Sequence, residues 1–277
     1  MLKKIKKILG YYLLKEKIHF VNLEIAGFKL RGVKGTERKK PDQDDAWFFE
    51  LAKHHKVIYD IGANIGYMAL LAAIQPNNER IVLVDPNPEA LSKAAQNLII
   101  NGFGIKCNFI PSFIGNRDGE SIKFYTVGSG EAGSIYPGHA QTASLINSFY
   151  YVNQLTIDSL VEQLNCFPDL VKIDIEGAEY LALEGAIKTA SYFKTTFMIE
   201  MHSPPELPMN ENAKLIMDWC NRNDYKPFYM RDGVELKESI QIAQRGKCHL
   251  LLIPKGEVYP VYLKNISQGS LIRNIEN

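Results

Sequence analysis

The chain has 277 residues, 46% of them hydrophobic and 23% charged, which is an ordinary balance for a soluble globular protein with a sizeable core. Its net charge is +1, so no global field recruits nucleic acid, and no apolar run is long enough to span a bilayer. Cys107, Cys166, Cys220 and Cys248 form no CxxC pair; reduced thiols in a cytoplasmic protein are the simplest reading.

The N-terminal stretch MLKKIKKILGYYLLKEK places six lysines among isoleucines, leucines and tyrosines. Gly10 interrupts its apolar part and no small-residue cleavage site follows, which argues against a signal peptide. A basic amphipathic helix is expected, docked on its own domain or on a second subunit. Contact of residues 1–17 with an anionic membrane surface is the alternative. HFVNLEIAGFKLRGV (19–33) alternates apolar and polar residues around Gly27, as a β-hairpin does. Residues 35–45 read as a polar loop and 46–55 as a short helix, with His54 and His55 as solvated helix-end residues. The expected organisation is an extension over 1–43 and a main domain over 44–277.

A regular rhythm follows. KVIYDIG, RIVLVDP and IKCNFIP are short β-branched runs, separated by the helical YMALLAAI and PEALSKAAQNLIING. Such alternation implies βαβ units and a mostly parallel sheet. Residues 112–155 break the rhythm, with one further strand over 118–127 and a long small-residue loop over 128–146. Tyr136 and His139 in that loop are candidates for a substrate lid. TIDSLVEQL is a capped helix, DLVKIDIEGAEY carries a fourth strand and TTFMIEMH a fifth. A helix over 213–225 and the runs KPFYMRDGVEL and CHLLLIP complete the domain.

The loop DIGANIG joins the first strand to the first helix and spaces Asp60, Gly62, Asn64 and Gly66 as D-x-G-x-N-x-G. Glycines there let a ligand approach the main chain, at the end of the sheet where ligands bind. A dinucleotide fingerprint would be G-x-G-x-x-G; this loop lacks its middle glycine. S-adenosylmethionine has no phosphate, and the acid at 60 suits its cationic portion better than a pyrophosphate. Gly62, Ala63, Asn64 and Gly66 are therefore read as its cradle. Asp85, in VDPNP, lies about 20 residues further on and suits a ribose, with Pro86 and Asn87 beside it. Asn87 also fits as the N-cap of the following helix. By topology Ser112 and Phe113 flank the adenine.

Taken with VIYDIGANIGYMALLAA, LTIDSLVEQL, DLVKIDIEGAEYLALEGA and FMIEMH, the chain resembles a class I methyltransferase of the FkbM family over roughly residues 44–254. The resemblance implies S-adenosylmethionine-dependent O-methyl transfer, in many members to hydroxyls of sugars or secondary metabolites. It also implies a Rossmann-like α/β fold with a seven-stranded, mostly parallel sheet of order 3-2-1-4-5-7-6. The family more often has Glu where this chain has Asp85.

Methyl transfer to an alcohol is an in-line displacement in which a base or a metal ion draws off the hydroxyl proton. The tip of the fourth strand should lie beside the methyl group, with Asp174 first and Glu176 on the same side by strand alternation. Lys172 is a candidate ion-pair partner for either. Glu179 reads as a first-turn acid favoured by the helix dipole. Glu200 and His202 share a face at the end of the fifth strand and complete the catalytic set. Asp174, Glu200 and His202 could also hold a hard divalent ion, although nothing in their spacing demands one, and metal-free transfer is the preferred reading. The expected acceptor is a small molecule or glycan hydroxyl. The rival readings are a nicotinamide-dependent oxidoreductase and a non-catalytic scaffold that keeps the fold.

Overall fold

A computed structural model describes residues 18–38, 43–127 and 133–266. The expected basic helix over 1–17 and part of the loop over 128–146 lie outside the described residues. Strands β1 (Phe20–Ile25) and β2 (Phe28–Val33) pair as an antiparallel hairpin turning at Ala26-Gly27. Helix α1 (Gln43–His54) follows; His54 at its end is exposed, but His55 is half-buried with Nδ1 2.7 Å from the Leu51 carbonyl.

Next come β3 (Val57–Ile61), α2 (Tyr67–Ala73), β4 (Arg80–Val84), α3 (Pro88–Ile100) and β5 (Cys107–Ile110). Asn87 caps α3 by accepting from the N–H groups of Glu89 and Ala90. Three short strands then leave the main sheet: β6 (Phe113–Ile114), β7 (Ser121–Tyr125) and β8 (Phe149–Leu155), with α4 (Gln141–Leu145) between the last two. They form a small sheet of order β6-β8-β7. Helix α5 (Ile157–Leu164) is capped by Thr156, whose hydroxyl accepts from the Ser159 N–H.

The main sheet resumes with β9 (Leu170–Ile173) and β10 (Thr196–Met201). Between them lie α6 (Glu179–Glu184) and α7 (Ile187–Phe193), separated at Gly185-Ala186. Helix α8 (Met209–Arg222), β11 (Tyr225–Tyr229), β12 (Val234–Glu235), α9 (Ser239–Ala243) and β13 (Cys248–Pro254) complete the domain. The expected seven strands become eight, because β12 folds back on β11 as a two-residue antiparallel edge instead of extending it. The order is β12-β11-β13-β10-β9-β3-β4-β5, with β13 antiparallel to both neighbours.

Neighbouring residues on each central strand enter different cores. Ile58, Ile81, Leu170 and Met198 join Trp47, Leu51, Leu70 and Leu98 on one side. Tyr59, Val82, Val171 and Phe197 join Leu160, Leu183, Ile216 and Trp219 on the other. Burial on both faces is why these strands read as continuous apolar runs. The hairpin shares the first core through Leu23, Ile25 and Leu30 and is tied to α3 by side-chain amides. Asn97 accepts from the Val33 N–H at 2.6 Å, and Asn101 exchanges two hydrogen bonds with the Arg31 backbone.

Candidate active site

The parallel strands β3, β4 and β9 end side by side, and the loops that follow them build a cleft of about 240 Å³. Its lining includes Gly62, Ala63, Asn64, Asp85, Pro86, Asn87 and Phe113 from one half, and Lys172, Asp174 and Glu176 from the other. Asp60, Gly66 and Ser112, expected at the cofactor, are not among the lining residues.

Backbone contacts shape the first half. The N–H groups of Gly62 and Ala63 both donate to the Val84 carbonyl, at 2.9 and 3.1 Å. Gly62 has φ +82°, and a Cβ there would overlap the Asp174 carbonyl oxygen. Only glycine combines that conformation with that approach. Gly66 serves packing instead: a Cβ on it would lie 2.8 Å from the Ala94 Cβ, where α2 crosses α3.

Asp85 accepts from the N–H of Asn64 and of Asn87, each at 2.8 Å. Burial pushes its carboxyl up to about 6, against the pull of those two bonds. Each oxygen keeps further acceptor capacity, and the residue lines the cleft. Asp60 is fully buried, and neither of its oxygens has a hydrogen-bond partner; the Lys172 Nζ stands 3.7 Å away. Burial raises its carboxyl above the usual range although Lys172 opposes this. These residues fit S-adenosylmethionine: glycine main chain to approach, Asp85 for the ribose and Phe113 for an aromatic ring, while Asp60 lies behind the cleft wall and already faces Lys172.

Side chains shape the second half. Strand β9 stops at Ile173, so alternation does not carry Glu176 beside Asp174. A turn does, with Glu176 at φ 54° and Gly177 at φ 106°. Lys172, buried by the sheet, holds Asp174 at 3.3 Å. Burial disfavours its charge, but Asp174 and Asp60 outweigh that and keep the ammonium protonated above its ordinary value.

Glu179 does more than open a helix. It is fully buried, accepts from the N–H of Gly177 at 3.0 Å and of Ile175 at 3.3 Å, and faces the His202 Nδ1 at 3.3 Å. Its local position as a first-turn acid carries no sign of this.

His202 is 3% exposed and sits among carboxylates. Its Nε2 lies 3.3 Å from Glu176 and 3.5 Å from Glu200, and its Nδ1 lies 4.0 Å from Asp174. Burial alone would lower the imidazole; Glu179, Glu176 and Asp174 reverse this and lift it to about 9. The surrounding carboxylates thus favour the charged imidazole, although its Nε2 makes no hydrogen bond. Burial also opposes the charge on Glu200, but His249, Lys247 and His202 hold it well below the usual carboxylate range.

One residue was legible only as a lid candidate. His139 reaches in from the segment between β7 and β8 and places Nε2 2.6 Å from Glu176 Oε2. Its ring meets that of His202 edge to face at 5.5 Å.

Two triads could each hold a metal ion, since their ligand atoms lie within 4.8 Å of one another: Asp174, Glu200 and His202, and Asp44, Glu200 and His249. An ion in either would compete with the Lys247 ammonium, 2.7 Å from Glu200. In the first triad it would also have to displace the His202 proton.

The family model described as Methyltransferase FkbM domain matches residues 60–227. The chain belongs to this family and carries its methyltransferase domain. No curated protein matches. Among solved structures, it is similar to the methyltransferase FkbM from Methylobacillus flagellatus KT at 18% identity and a TM-score of 0.44, covering 72% of this chain and 43% of that one. The SAM-dependent methyltransferase from Agrobacterium tumefaciens gives 13% identity and 0.43, covering 74% and 60%. The O-methyltransferase from Bacillus cereus in complex with SAH gives 12% and 0.43, covering 76% and 79%. The chain thus spans 43% and 60% of the length of the first two. Among the described residues, no helix is long and apolar enough to cross a membrane.

Proposed function

We propose that the protein is an S-adenosylmethionine-dependent O-methyltransferase acting on a hydroxyl of a sugar, glycan or secondary metabolite. The observation that carries this reading is the single cleft that joins Gly62, Asn64 and Asp85 to Asp174 and Glu176. When bound, the cofactor supplies an electrophilic methyl group. Asp85 would hold the ribose and the 62–64 main chain the amino-acid portion, with Asp60 behind them holding Lys172. Asp174 accepts the acceptor's hydroxyl hydrogen and aims its oxygen along the line of transfer. His202 fixes Glu176 and Glu200 around it. The four free thiols suit the cytoplasmic setting expected from the sequence.

The test is transfer of labelled methyl groups into a panel of glycans and lipid-linked sugars, with mass analysis of the product. A methyl ether on one hydroxyl is the expected result. Parallel titrations with S-adenosylhomocysteine and NAD should show binding of the first; binding of NAD alone overturns the reading.

A further inference from the structure

Part of the cleft wall precedes residue 60, where the match to the family model begins. Gly35, Thr36, Glu37 and Arg38, from the segment after the β1–β2 hairpin, line the cleft together with Asp44 in the first turn of α1. Asn97 of α3, fully buried, donates to Thr36 Oγ1 at 2.9 Å and to the Ile65 carbonyl at 2.8 Å. One amide thus holds this segment against the loop that follows β3.

Among the described residues, two cations line the cleft, Arg38 and Lys172. Lys172 is buried and enclosed by Asp60 and Asp174, at 3.7 and 3.3 Å. Arg38 keeps 36% of its side chain exposed. We propose that Arg38 binds the carboxylate of the cofactor's amino-acid portion, so that the N-terminal extension completes the cofactor site. The assignment rests on the S-adenosylmethionine reading of the cleft.

The arginine is held from two directions. Its Nη1 lies 3.2 Å from Oδ1 of fully buried Asp45, and its guanidinium carbon stands 4.6 Å from the ring centroid of Tyr67, itself a cleft residue. A buried carboxylate needs such a partner, and the aromatic face adds a cation–π contact. A guanidinium carries five N–H donors in a planar fork, so a bond through Nη1 leaves donors for a second carboxylate. The amino-acid portion of S-adenosylmethionine is a zwitterion, with a carboxylate and an ammonium on one carbon. Arg38 has the sign and the shape for the first. Asp44, in the same wall, has the sign for the second, whereas Glu37 is turned onto the Gly35 N–H at 2.6 Å.

The test is titration calorimetry on the full chain with two probes. One is S-adenosylhomocysteine; the other is its decarboxylated analogue, which keeps the ammonium and lacks the carboxylate. The wild-type chain should bind the first about 10–100-fold more tightly. Arg38→Met should remove that preference, bringing the two probes within about threefold of each other. Arg38→Lys, which keeps the charge without the fork, should fall between. Asp45 loses its partner in Arg38→Met, so the double variant with Asp45→Asn is titrated alongside and carries the test where the single variant does not fold. A strut for Asp45 alone would weaken both probes equally and leave the preference intact. That result, or no preference in the wild-type chain, overturns the proposal. If neither probe binds the wild-type chain, the S-adenosylmethionine reading itself falls, and this assignment with it.

Discussion

The two halves of the cleft are built from different materials. The half proposed to hold the cofactor is mostly main chain: Gly62 and Ala63 hang from one carbonyl, and Asp85 is tied down by two backbone N–H groups. The other half is walled by side chains, Asp174 and Glu176, and behind them Glu179 and Glu200 join these two acids around the buried His202 imidazole. Main chain fixes shape at any pH, whereas a charge cluster holds its shape only while its protons stay in place. Recognition of the cofactor should therefore be sterically fragile, with a pH dependence confined to acid conditions, where the Asp85 carboxyl, pushed up to about 6, takes a proton. Chemistry on the acceptor should be sterically tolerant and strongly pH-dependent.

The hardest test of the first half is Gly62→Ala. Its methyl group meets the Asp174 carbonyl at a strained φ, so urea unfolding should show a loss of more than about 3 kcal/mol or no folded protein. A wild-type midpoint would mean that the close crossing does not set the loop. Next in size, Asp174→Asn should cut methyl transfer at least about 100-fold while S-adenosylhomocysteine affinity stays within about threefold. Parallel loss of both would erase the division between the halves.

Glu179→Gln should cost about 1–3 kcal/mol in urea unfolding, because a buried acceptor of two N–H groups loses its charge. The His202 proton should then be released well below about 9, which NMR titration reads directly. The pH dependence sharpens the same point. His202 is raised from an unfolded value near 6.5 to about 9, so its contribution is fully present below about 6.5 and is lost as pH rises through about 9. Wild-type stability should fall across that window, and His202→Gln should flatten the fall. The smallest expected effect is none: EDTA should leave transfer unchanged, since Lys247 and the His202 proton already balance Glu200. Activity restored only by a divalent ion would reverse that.

The same division explains what could be read in advance. The D-x-G-x-N-x-G spacing is local, and the loop it encodes lies at the end of β3 with Gly62, Ala63 and Asn64 in the cleft wall. Local logic carries no sign of the packing of Gly66, whose neighbour Ala94 sits on a different helix. It placed Glu176 beside Asp174 by extension, where the chain in fact turns through a left-handed residue. Glu179 looked like a helix-opening acid because burial and the approach of His202 are set by β10, a separate strand. His139 carries the weakest local signal, because its path depends on the pairing of β7 with β8, and Phe149–Leu155 lacks the apolar alternation that marks a strand.

The contact between Gly62 and the Asp174 carbonyl has a consequence for how such proteins can change. Two loops far apart in sequence share one fitted surface with no room for a methyl group. Neither can be exchanged alone between relatives without a matching partner. Chimeras that import an acid turn for a new acceptor should inherit the donor's first loop with it, so the pair behaves as one unit of recombination.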